Sequence, residues 1–120
     1  LANGLTVLAL ENPVADIISA RIFIRAGSAF ETPATAGLVS FLMGLITKGT
    51  DRLSSMAIAE AVESVGASLS TDSATDYSVI SLKTVAADFE DIFTLATDLL
   101  RRPSFPPAEI DLEQRLTLQQ

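Results

Sequence analysis

The chain contains no histidine and no cysteine. The missing histidine removes serine–histidine and cysteine–histidine catalysis and every metal site built on imidazole. The missing cysteine removes disulfides and thiolate chemistry, and with them any reading of redox compartment. Basic residues are few, 8 against 15 acidic, for a formal net charge of −7. An acidic chain with no basic stripe argues against nucleic acid and against an anionic membrane surface as partners. The longest apolar stretch, Gly37 to Ile46, is about half of what a bilayer span requires, so no membrane span is expected. No basic start followed by an apolar run and a small-residue cleavage site marks a signal peptide.

What is present is apolar: 48% hydrophobic residues and a mean hydropathy of +0.40 over 120 residues. That is enough for one compact domain with a real core. The excess belongs to that core or to surface that another domain covers. The chain starts at Leu1 and stops at Gln120 inside a helical pattern, which reads as a piece of a longer protein.

Periodicity orders the elements. Asn3-Gly4 reads as a turn, Leu5–Glu11 as a strand, and Asn12-Pro13 as its end. Ile17–Ala26 is the clearest strand, with Ile18, Ala20, Ile22 and Ile24 on one face. Arg21 and Arg25 share the other face, which is either wet or able to hold a carboxylate. Ala36–Lys48 is apolar nearly all round, the mark of a buried helix, and Gly49 stops it. Ser54 or Ser55 caps the next helix, whose inner stripe is Ile58, Ala61, Val62 and Val65. Ala67–Ser73 and Tyr77–Thr84 read as a hairpin. Asp88 reads as the N-cap of a helix carrying Phe89, Ile92, Phe93, Ala96, Leu99 and Leu100, stopped by Pro103. Pro106-Pro107 opens a last helix. The order ββααββαα implies an α+β fold, an antiparallel sheet packed with helices.

Several short motifs recur in one order and spacing. They are Leu1-Ala2-Asn3-Gly4-Leu5-Thr6-Val7, then Gly27-Ser28 with Glu31, then Gly37-Leu38 and Lys48-Gly49-Thr50 around the apolar helix. Gly66-Ala67-Ser68-Leu69 with Asp76-Tyr77 follows, and Phe105, Glu109 and Glu113 close the series. Together they resemble the M16 zinc peptidases (the pitrilysin and mitochondrial processing peptidase type). The resemblance implies that family's metallopeptidase half-domain fold. It places residues 1–120 in the N-terminal part of one such domain.

In that family the apolar helix carries H-x-x-E-H, two zinc ligands at i and i+4 flanking a glutamate base. By resemblance the first ligand position is Ser40, the base position Met43 and the second ligand position Gly44. A third ligand, from a distant helix, falls on Gln120. None of these is a zinc ligand or base of the family's kind, so the expectation is a noncatalytic relative with no cofactor. A buried carboxylate without its metal would be costly, and the neutral replacements avoid that, so the vestigial site is expected to be an apolar packing position. Ser40 is expected to bond back to the carbonyl of Ala36 rather than act as a nucleophile.

The strand edge that receives extended peptide in active relatives matches Ser70, Thr71, Asp72 and Ser73. The partners the resemblance implies are a zinc-bearing M16 homologue or a second copy of this chain, with peptide at that edge. A structural subunit akin to respiratory core proteins is the alternative. The implied compartment is a bacterial cytoplasm or periplasm.

Overall fold

A computed structural model describes residues 4–10 and 16–118. It forms a three-stranded antiparallel sheet with helices on one face. The strands are β1 (Ile17–Ile24), β2 (Ser68–Ser73) and β3 (Ser78–Val85). The helices are α1 (Leu38–Leu45), α2 (Ser55–Glu63), α3 (Phe89–Arg101) and α4 (Pro107–Leu118). The α+β class expected from the pattern is the class observed.

β3 is central, in the order β1-β3-β2. Its register sets Ile22 opposite Ile80 and Ala20 opposite Leu82 on one side, and Leu69 opposite Leu82 and Thr71 opposite Ile80 on the other. Side chains alternate along a strand, so these residues share one face. Ile80 and Leu82 are buried and pack with Met43, Ile46, Ile58, Val62, Ile92, Leu95, Ala96 and Leu99. This one cluster ties all three layers of sequence together: hairpin, central helices and α3.

Among the described residues, the opposite face of the sheet is open. Its rows, read β1-β3-β2, are Phe23–Val79–Asp72, Arg21–Ser81–Ser70 and Ser19–Lys83–Ser68, followed by Ile17–Val85. Ile17 and Phe23 are 51% and 60% exposed. Phe23 meets Tyr77 edge to face at 5.5 Å between ring centroids.

Local signals act where they were read. Ser54 caps α2, its hydroxyl accepting from the Ala57 N–H at 3.2 Å, and Gly66 turns with φ +67°. Asp88 precedes α3 but makes no side-chain cap, because a short 3-10 turn over Ala86–Asp88 leads into the helix.

Four expectations are corrected. Residues 5–10 form no strand, and Leu8 and Leu10 are 92% and 97% exposed. Apolar side chains lie on both faces of that segment, so its period selects no register. Glu11, Asn12 and Pro13 of that reading, with Asn3 of the preceding turn, lie outside the described residues. The helix read as Ala36–Lys48 is shorter: Gly37 takes φ +84° just before α1, and a 3-10 turn over Ile46–Lys48 closes it. Nor is α1 buried all round, since Leu38 and Leu42 are 52% and 41% exposed. In α2 only Ile58 and Val62 of the expected stripe are buried; Ala61 and Val65 face outward. A helix this short lays a narrow stripe on the sheet.

Candidate functional site

The site expected from the resemblance centres on α1. Its entry is built by the loop after β1. Gly27 lies so close to the hairpin connection that an added Cβ would meet the Ala74 carbonyl oxygen at 2.5 Å. That approach lets the Ser28 and Ala29 N–H groups donate to the carbonyls of Ala74 and Thr75, at 3.2 and 2.7 Å. The turn then delivers Glu31 to the start of α1. Its carboxylate accepts from the Gly37 N–H at 2.6 Å and the Val39 N–H at 3.1 Å. The first N–H groups of a helix have no intrahelical partner, and a negative charge there also suits the helix dipole. The G-S-x-x-E spacing is therefore a device for anchoring α1.

α1 is held to the sheet by Thr71, whose hydroxyl donates to the Met43 carbonyl at 2.8 Å. It is held to α4 at Gly44. A Cβ built on Gly44 would lie 2.5 Å from Glu113 Oε1 and 3.0 Å from its carboxyl carbon. Glu109, one turn earlier on α4, accepts from the Ser55 hydroxyl at 2.9 Å. The two glutamates of the closing motif thus clamp α4 across α1 and the start of α2.

The three α1 positions that the resemblance singles out, Ser40, Met43 and Gly44, have separate environments. Met43 is buried in the core at 6% exposure. Gly44 is half-buried under Glu113. Ser40 is exposed and lines a shallow hollow of mixed character with Ser28, Glu31, Val39, Ser73 and Thr75. The expected apolar packing position exists at Met43 alone. Ser40 makes no hydrogen bond to the Ala36 carbonyl, and α1 turns that side outward. Gln120 lies outside the described residues.

These donors do not fit a zinc ion. Ser40, Met43 and Gly44 offer a hydroxyl, a buried thioether and no side chain, a set without the imidazole or carboxylate donors that hold zinc. Among the described residues no three His, Cys, Asp or Glu side chains converge. Ser40 likewise has no histidine in the chain to take its proton.

The edge positions are brought to the same end of the molecule. β2 is an outer strand of the sheet, and its outer edge is unpaired among the described residues. Ser70 and Asp72 point to the open face, whereas Thr71 and Ser73 point toward α1. Sequence reasoning did not single out Thr71 as a strut for α1, or Glu31 as its anchor. The i to i+6 spacing of Glu31 and Gly37 could have signalled the latter.

Comparison with known proteins agrees with this geometry. The family model described as Insulinase (Peptidase family M16) matches residues 6–120. The β subunit of the mitochondrial-processing peptidase of Lentinula edodes is 31% identical over 120 residues, which are 100% of this chain and 26% of that protein. Subunit 1 of the mitochondrial cytochrome b-c1 complex of Caenorhabditis elegans is 30% identical over 114 residues, 95% of this chain and 24% of that protein. A crystal structure of a peptidase M16 inactive domain from Pseudomonas fluorescens superposes with a TM-score of 0.74 at 23% identity, over 80% of this chain and 24% of that one. The chain thus spans about a quarter of the length of the relatives it matches. With the family model matched over nearly all of its residues and the fold shared, the chain belongs to peptidase family M16.

Proposed function

We propose that this chain is the N-terminal part of a noncatalytic M16 subunit that pairs with a zinc-bearing homologue to enclose a peptide-processing chamber. The observation carrying this reading is α1, which keeps the family frame while Ser40, Met43 and Gly44 lack the donors for zinc and for a base. In this reading Gln120 is the fourth vestigial position, and the β2 edge from Ser70 to Ser73 remains a place where extended peptide lies. Relatives named as subunits, and a neighbour named as an inactive domain, support it.

A second reading is favoured by the similarity to a cytochrome b-c1 complex subunit: a structural subunit with no proteolytic role. Affinity purification of the tagged full-length protein separates the two. Copurification of an M16 homologue with intact H-x-x-E-H, and peptide cleavage by the mixture but by neither part alone, is the expected result. A stable assembly without such a homologue supports the structural reading. Stoichiometric zinc together with cleavage by this protein alone overturns both.

A further inference from the structure

The hollow beside Ser40 carries chemistry that anchoring α1 does not use up. Four side-chain hydroxyls line it, those of Ser28, Ser40, Ser73 and Thr75, together with the Glu31 carboxylate. None of these hydroxyls has a hydrogen-bond partner among the described residues. The hollow holds about 350 Å³.

Its charge has one sign. Among the described residues Glu31 is the only ionisable side chain in its wall, and no lysine or arginine balances it there. The Glu31 carboxylate accepts from the Gly37 and Val39 N–H groups, one on each oxygen, which caps the positive end of α1. An ionised carboxylate has about four lone-pair sites, so acceptor capacity remains on both oxygens. Hydroxyls rotate and present lone pairs to a cation. One carboxylate with capacity to spare, ringed by adaptable hydroxyls, suits a compact cation with several donors, a primary ammonium, and repels a carboxylate.

The place of the hollow decides which ammonium reaches it. Ser73 is both the last residue of β2 and part of the wall. The outer edge of β2 is unpaired among the described residues. A strand added there in the antiparallel sense, the sense of both pairings in this sheet, begins where β2 ends. Its first residue then brings a free amino group to the hollow. A parallel strand would bring a terminal carboxylate to Glu31 instead.

We infer that the hollow of Ser28, Glu31, Ser40, Ser73 and Thr75 binds the free amino terminus of a peptide whose first residues lie antiparallel along β2. It thereby selects an unblocked amino terminus and fixes the direction and starting register of the peptide. Glu31 meets the charge, and the hydroxyls of Ser40 and Ser73 accept the remaining hydrogen bonds. This rests on the proposed role of the β2 edge in holding extended peptide.

The test uses immobilised full-length protein and a pool of octapeptides of randomised sequence, each ending in a fluorophore-bearing amide. The pool is prepared with free and with acetylated amino termini, and an apparent Kd is measured for each. The free pool should bind at least about tenfold more tightly, the fold-change that one charge-assisted hydrogen bond supports. Glu31→Gln keeps an acceptor for α1 and should bring the free pool down to the acetylated one. Ser40→Ala with Ser73→Ala should weaken the free pool and leave the acetylated pool unchanged. Equal affinity for the two pools, a preference that survives Glu31→Gln, or variants that weaken both pools alike would overturn the inference and leave the peptide edge standing. Binding of neither pool would overturn the peptide edge and this inference with it.

Discussion

The Glu113 carboxylate lies against the Gly44 backbone, at the spot where any larger residue would place its Cβ. One atom separates a glycine from a clash here, and the obstruction is the far end of a flexible side chain. Glycine in a helix interior costs about 1 kcal/mol relative to alanine. Gly44→Ala should therefore gain most of that and lose part of it by displacing Glu113. We expect a net change within about 1 kcal/mol. With Glu113→Ala also present, the alanine should become clearly stabilising, giving a coupling of about 0.5–1 kcal/mol. A double-mutant cycle by urea denaturation measures it, and strict additivity would show that the contact carries no energy.

Met43 is a core residue, so placing a carboxylate at this position should be costly. Met43→Glu is expected to destabilise by about 3 kcal/mol or more, because the burial leaves an unpaired polar group. Met43→Leu conserves volume and should cost less than about 1.5 kcal/mol. Thermal and urea unfolding of the two variants should differ widely. Equal stabilities would mean that position 43 is wet.

Glu31 accepts from two backbone N–H groups at the start of α1. Glu31→Ala leaves both without that partner and should cost about 1–2 kcal/mol, with the loss concentrated in α1. Glu31→Gln keeps an acceptor and should lose less. Amide hydrogen exchange at Val39 to Leu42 should quicken in the alanine variant while β3 keeps its protection. Unchanged exchange there would remove Glu31 from the role of anchor.

Much of the fold was legible because each signal is local. The alternation of Ile18, Ala20, Ile22 and Ile24 named the buried face of β1, and Ser54 and Pro107 marked where helices begin. The segment from Leu5 to Leu10 failed because apolar residues on both of its faces leave no alternation to select a register. Leu95 went unread as a core residue although it is buried, since the stripe of α3 is wider than the spacing used to find it.

The candidate site divides in the same way. Residue types alone decided that α1 has no imidazole to offer, because the chain contains no histidine to bring there by any folding. The sequence also determined the class of the fold, through strand and helix periods that hold within a few residues. Only the tertiary structure decided that Ser40 faces a shallow hollow, that Met43 alone of the three joins the core, and that Glu113 covers Gly44. Those outcomes depend on how α1 rotates against β2 and α4, through Thr71 and Glu113. Contacts between residues 28 and 69 positions apart are set by packing, and no local pattern encodes them.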